Sequence, residues 1–379
     1  MDFKPLSHFI DHITSWRIPW AEVIVMQHNK TIFHYKGGYA NLEDKIQIND
    51  SQIVNIYSLS KILTCTAALQ LVEKGAILLS DLISDYLPEY ADMTVQKVLP
   101  DGRVDTERAK QPITVRDLFT MSAGFSYDLE APSIREVVER TNGRVQTREF
   151  AAALAKEPLL FEPGTRWNYS LCHDVLAALV EVVDGRKFSS YVHDEITGPL
   201  GMIDTGFDLT DEQLTRLTPQ YEYNDVLNKP VRKDGNGYRL GEEFESGGAG
   251  LLSTASDYIL FLNTLTNRGT SPEGIRILSP ASVDLMRTDH LNDRTRSDFS
   301  TGYHDGYGYG LGVRTHISKA RSGSLSPLGE FGWSGAAGCL GIIDPETQLT
   351  IMYAQHLLNS QEPYVHPRIR NIVYACLES

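Results

Sequence analysis

A chain of 379 residues, 41% hydrophobic and 22% charged, has the make-up of a soluble globular protein long enough for a large core and two lobes. Its formal net charge of −14 argues against nucleic acid or an anionic membrane surface as partner, since both need a basic face. No apolar stretch reaches membrane-spanning length, and Met1-Asp2-Phe3-Lys4-Pro5 lacks the basic-then-apolar pattern of an export signal, so a cytoplasmic protein without a membrane span is expected.

Leu6, Phe9, Ile10, Ile13 and Trp16 recur at helical spacing and predict an amphipathic first helix. Ala21 to Gln27 and Thr31 to Tyr35 are strand-like runs joined by His28-Asn29-Lys30, a predicted hairpin. From Ser58 to Leu200 the apolar positions mostly follow a helical period, as in Leu118 to Met121, Phe150 to Ala155 and Leu171 to Val183 ending at Gly185. The glycine-rich run Ser246-Gly247-Gly248-Ala249-Gly250 leads to Thr254-x-x-Asp257, a predicted capping box, and to a helix over Ile259 to Leu265. The polar segment from Asn267 to Gly306 reads as loops. Gly341 to Ile343 and Leu349 to Tyr353 flank the turn Asp344-Pro345-Glu346-Thr347, and an apolar helix around Ile369 to Leu377 closes the chain. Hairpins and helices at both ends imply one antiparallel sheet built from the two termini. The expected fold is α+β, with a sheet domain over 1–75 and 205–379 and a mainly helical lobe over 76–204. Cys65, Cys172, Cys339 and Cys376 are widely spaced, without a C-x-x-C pair, which argues against a disulfide framework or a zinc site.

Ser58-Leu59-Ser60-Lys61 opens a predicted helix that runs to Gly75, directly after the strand-like Ile53 to Tyr57. An i, i+3 spacing places the hydroxyl of Ser58 and the amine of Lys61 on one helix face. A serine hydroxyl needs a neighbouring base to become a nucleophile. A lysine can be that base where apolar neighbours and the positive helix end disfavour its charged form, and the first turn of an apolar helix is such a place. The four-residue pattern alone is weak, because a capping serine followed by a solvated lysine has the same spelling. His8 and His12, one turn apart on the first helix, lack a third ligand, and no G-x-S-x-G elbow occurs.

Further stretches give the pattern its context. They are Ile113-Thr114-Val115-Arg116-Asp117-Leu118 with Ser122-Ala123-Gly124, Phe161-Glu162-Pro163-Gly164-Thr165 before Tyr169-Ser170, and Pro199-Leu200-Gly201-Met202 with Asp204-Thr205. Gly247 to Thr254 and Tyr307 to Gly312 extend the series. In this order the chain resembles the serine β-lactamase and penicillin-binding-protein superfamily, in the class C-like branch that includes family VIII carboxylesterases. The resemblance implies Tyr169 as a phenol that hydrogen-bonds Ser58 and Lys61 and passes the proton to the leaving group. It implies an oxyanion hole from the backbone N–H groups of Ser58 and Ala336. Trp333-Ser334-Gly335 stands where lactamases carry Lys-Thr-Gly, so an apolar wall replaces a carboxylate-binding cation. Leu171 replaces the asparagine of the Tyr-x-Asn triplet, which counts against β-lactam hydrolysis. Family layout also nominates Phe125 and Tyr127 as pocket-lining residues.

The resulting expectation is a serine hydrolase working through an acyl-enzyme on small or medium esters, with no metal or organic cofactor and a small-molecule ester, amide or lactam as its partner. A β-lactamase or D-amino-acid peptidase, an acyltransferase of the same mechanism, and a non-catalytic penicillin-binding-like sensor stay open as alternatives.

Overall fold

The computed structural model describes residues 1–377. Leu6, Ile10 and Ile13 form the buried stripe of helix Lys4–Trp16 (α1), with Pro5 in the first turn, where a missing N–H breaks no helical bond. The predicted hairpin follows as Trp20–Gln27 (β1) and Lys30–Asn41 (β2), with His28 and Asn29 at positive φ in the turn. A short strand, Ile46–Gln47 (β3), borders it. The chain then crosses a largely helical region containing Ser60–Glu73 (α2) and Cys172–Asp184 (α3), and returns through Ala255–Thr266 (α4). The sheet resumes with Tyr307–Tyr309 (β4), Arg314–His316 (β5), Phe331–Ser334 (β6), Leu340–Asp344 (β7) and Leu349–Ala354 (β8), and Glu362–Cys376 (α5) follows.

These eight strands make one antiparallel sheet in the order β4-β5-β6-β7-β8-β1-β2-β3. The two chain ends meet at its centre, where β1 pairs with β8 from Glu22↔Ala354 to Gln27↔Leu349. Side chains alternate between its faces. Ala21, Val23 and Val25 of β1 and Leu349, Ile351 and Tyr353 of β8 pack with α1 and α5. Trp20, Ile24, Met352 and Ala354 face the other way, into the core shared with α2, α3 and α4. Helix α2 is buried all round, which explains its lack of a polar stripe and makes it a rigid central strut.

Three local expectations are corrected. The strand-like run at Ile53 to Tyr57 contributes only Val54–Asn55, paired with Leu252–Ser253, because Tyr57 turns to φ +47°. The capping box at α4 is half formed: Thr254 accepts from the Asp257 N–H at 3.0 Å. The Asp257 carboxylate instead accepts from the Asp204 N–H at 2.7 Å and the Thr205 hydroxyl at 3.1 Å. The segment read as loops folds into helices Pro280–Arg287 and Asp293–Phe299, each with a side-chain N-cap, Ser279 and Asn292. Among the described residues, no helix is long and apolar enough to cross a membrane.

Candidate active site

Ser58 lies in a single 3-10 turn, Tyr57–Leu59, that runs straight into α2. The turn is tight. Tyr57 occupies the left-handed region, which is strained for a bulky side chain, and its phenol is tied to Gln220 Oε1 at 2.5 Å. Burial pushes the Tyr57 phenol up to about 12, so it remains a donor in that bond. Gly335, just after β6, packs on the same turn; a Cβ there would sit 2.2 Å from the Ile56 carbonyl oxygen, so only glycine lets that chain approach. Both Ser58 and Ala336 therefore line one cavity. Among the described residues, neither backbone N–H finds an acceptor.

Lys61 is fully buried one turn along α2. Its Nζ lies 3.3 Å from Ser58 Oγ, donates to the Gly248 carbonyl at 2.7 Å and reaches the Tyr127 hydroxyl at 3.3 Å. It also stands 4.7 Å from the centre of the Tyr169 ring. The expected trio is thus brought together, with one correction to its bonding. The phenol in hydrogen-bond contact with Lys61 is Tyr127, whereas Tyr169 meets Lys61 with its ring face and accepts from the Trp333 indole N–H at 3.3 Å. The reason is stacking: Tyr169 lies between Tyr127 and Trp333, with ring centres at 5.5 and 5.7 Å, which turns its hydroxyl toward the indole. Burial, with Tyr169 and Asp174 nearby, raises the Tyr127 phenol well above its usual range, so it stays protonated.

Asp174, in the first turn of α3, was not singled out by sequence and packs behind this group. Its Oδ1 accepts from the Ser246 hydroxyl at 2.5 Å and the Gly248 N–H at 3.2 Å, while Lys61 holds the Gly248 carbonyl. Lys61 and Asp174 thus grip one residue through its two peptide groups. A Cβ at Gly248 would come within 2.6 Å of Asp174 Oδ2. Burial raises the Asp174 carboxyl, and Lys61, Ser246 and Gly248 oppose that rise. Beside it, burial and then Lys61 lower His173 to about 3, leaving a neutral imidazole 3.5 Å from the Cys65 thiol. A signal for Asp174 existed: a lone carboxylate at the entry of the apolar run that follows the candidate tyrosine.

The cavity holds about 440 Å³ and is walled mostly by aromatic rings. Of the expected lining residues, Tyr127, Tyr169, Trp333, Ser334, Gly335 and Ala336 are there. Phe125 and Leu171 are not. Phe125 is 2% exposed and packs edge-on to Tyr90, and Leu171 is 1% exposed because it sits at the N-terminal start of α3 inside the core. The opposite wall comes from segments the sequence did not nominate, with Asp298, Phe299, Thr301, Tyr303 and His304, together with Trp167, Tyr238 and Glu362. Asn292-x-x-Thr295, a full capping box, was the legible sign that the first of these segments is ordered.

Away from the cavity, Glu22, His34 and Asp50 bring ligand-type atoms within 4.8 Å of one another. His34 Nε2 already pairs with Glu22 at 2.7 Å and Lys36 pairs with Asp50, so the group is accounted for as an ion-pair network.

Comparison with known proteins identifies the family and the fold. A family profile described as Beta-lactamase matches residues 7–376. Protein Rv1367c of Mycobacterium tuberculosis is 31% identical over 344 residues, covering 88% of this chain and 84% of its own. Esterase EstB of Burkholderia gladioli is 27% identical over 364 residues, covering 89% and 85%. Among solved structures, EstCE1, described as a hydrolase with promiscuous acyltransferase activity, superposes with a TM-score of 0.81 at 24% identity over 98% of each chain. The chain belongs to the beta-lactamase family and is a hydrolase on that fold.

Proposed function

We propose that this protein is a serine carboxylesterase in which Ser58 carries the acyl group. The observation that carries the reading is the buried Lys61 amine 3.3 Å from a cavity-facing Ser58 hydroxyl. As a neutral amine, Lys61 spends its two protons on Gly248 O and Tyr127 Oη and points its lone pair at Ser58. It takes the Ser58 proton as the oxygen attacks the ester carbonyl. The Ser58 and Ala336 N–H groups, free of other acceptors, stabilise the oxyanion. Tyr169, whose own proton is committed to no acceptor among the described residues, returns a proton to the departing alcohol. Tyr127 holds Lys61 in place. The Lys61 ammonium then passes its proton through an entering water to the Tyr169 phenolate; the restored amine takes the proton of the water that attacks the acyl carbonyl and returns it to Ser58 Oγ as the second oxyanion collapses and the acid departs.

Trp333 supports an ester over a β-lactam, since an indole and no cation stands on the strand beside the nucleophile. Acyl transfer to an alcohol shares every step up to the acyl-enzyme, and EstCE1 is described as having both activities. Supplying an alcohol acceptor and looking for a new ester separates the two. The direct test is Ser58→Ala, which should lower kcat on short p-nitrophenyl esters by about 10³-fold or more with unchanged far-UV circular dichroism. Turnover at the wild-type rate would refute the assignment.

A further inference from the structure

The charges facing the cavity are not balanced. Two carboxylates, Asp298 and Glu362, line it, and no lysine or arginine does. Asp298 is neutralised by a two-pronged pair with Arg166, at 2.8 and 2.6 Å. Glu362, at the start of α5, has no such partner. Its Oε2 accepts from the Tyr303 hydroxyl at 2.9 Å and the Ser334 hydroxyl at 3.0 Å, and its Oε1 from the Ser360 hydroxyl at 3.4 Å. The nearest basic group is His366 Nδ1 at 3.8 Å, and burial lowers that imidazole so that it stays uncharged at neutral pH. Arg314 and Arg370 pair with Glu330 in a buried cluster behind this wall, 5% and 6% exposed at the side chain; their charges are felt at His304 and His366, but neither pairs with Glu362 or lines the cavity. Glu362 itself is 20% exposed.

Aromatic faces surround this carboxylate. Tyr303 packs on His304 at 4.2 Å, and His304 stacks on Trp333 at 6.0 Å. Ring faces carry partial negative charge and attract cations, most strongly where water is excluded. A lone carboxylate within such walls favours an ammonium group and disfavours a carboxylate. Ser334 links Glu362 by one hydrogen bond to the strand that continues into Gly335 and Ala336 beside Ser58, so the carboxylate stands on the substrate side of the nucleophile.

We propose that the cavity selects esters carrying an ammonium group, bound by Glu362 between the aromatic walls. The proposal rests on the esterase reading for its consequence in turnover, but binding of the cation does not depend on it. Two kinetic probes place the charge on either side of the ester. They are butyrylthiocholine against 3,3-dimethylbutyl thiobutyrate, and p-nitrophenyl 4-(trimethylammonio)butyrate against p-nitrophenyl 5,5-dimethylhexanoate. In at least one pair the cationic ester should have the higher kcat/KM by about tenfold or more, mainly through KM, and added salt should shrink the ratio. Glu362→Gln should bring that ratio close to one, and Glu362→Asp should retain part of it.

A second measurement needs no turnover. Calorimetry on the Ser58→Ala protein should show choline binding about tenfold or more tightly than its neutral isostere 3,3-dimethylbutan-1-ol. Cationic esters no better than neutral ones in both pairs, or a ratio untouched by Glu362→Gln, would overturn the proposal. So would equal binding of the two alcohols. If neither neutral nor cationic esters are turned over while choline still binds selectively, the esterase reading fails and the ammonium site stands.

Discussion

The two walls of the cavity are built in opposite ways. One presents Ser58 from the Tyr57–Leu59 turn, carried by helix α2, which lies behind the cavity buried on every side, with Lys61 clamped by Gly248 and backed by Asp174. The other is made by the segment after helix Asp293–Phe299 and by the start of α5, distant in sequence from each other and from Ser58. On the first wall the chemistry is fixed by neighbours one turn apart. On the second, the charge and shape offered to a ligand depend on where two remote segments come to rest. On the proposed reading, reaction type and substrate choice are thereby separated in space, so variation in the second wall need not disturb the first.

Breaking the first wall should cost most. Tyr169→Phe removes the proton proposed for the leaving group and should lower kcat by about 10²-fold, within the usual range for an acid–base group. Tyr127→Phe removes only a hydroxyl that holds Lys61 and should cost about tenfold. Steady-state kinetics on one neutral ester decides the matter, and the reverse order would transfer the acid role to Tyr127.

Asp174→Asn tests whether the carboxylate positions the base through Gly248. Asparagine keeps the Gly248 contact but not the charge opposite Lys61, so kcat should fall by about tenfold with little change in KM, and the acidic limb of the pH–rate profile should move. A uniform loss with an unshifted profile would leave Asp174 a structural residue only.

The last effect is on stability and leaves the site chemistry aside. Burial, with Lys61 next, holds His173 near 3, and burial holds His356 near 4. An unfolded chain binds these protons near pH 6.5, whereas the fold refuses them. The stabilisation is therefore complete above that pH and is lost as pH falls toward the folded values, at up to about 1.4 kcal/mol per pH unit for each group. These two groups should contribute a loss on the order of 2–4 kcal/mol between pH 6.5 and pH 5, read as the part of the urea-unfolding pH dependence that disappears in His173→Gln and His356→Gln proteins. An unchanged pH dependence in both variants would mean that neither imidazole is excluded from protonation.

The difference between the walls also explains what could be read in advance. The Ser58–Lys61 pair was legible because helical geometry converts a spacing of three residues into contact, and the paired terminal hairpins were legible because alternation marks a strand without reference to its partner. Tyr169 was placed correctly beside Lys61, but its bonding was not. Which of two stacked phenols donates to an amine depends on rotamers set by Trp333 and Tyr127, and no spacing encodes that. Phe125 and Leu171 were misplaced for a related reason: apolar residues next to a site are equally suited to its lining and to the core behind it.

The sequence by itself determined the fold, the antiparallel sheet closed by the two chain ends, and the nearness of Ser58 to Lys61, since each follows from short-range periodicity and side-chain chemistry. Only the tertiary structure decided that Glu362 reaches the cavity, that Asp174 shares Gly248 with Lys61, and that Phe125 turns away. Those facts rest on contacts between residues tens to hundreds of positions apart, fixed when core packing has chosen a single arrangement of the whole chain.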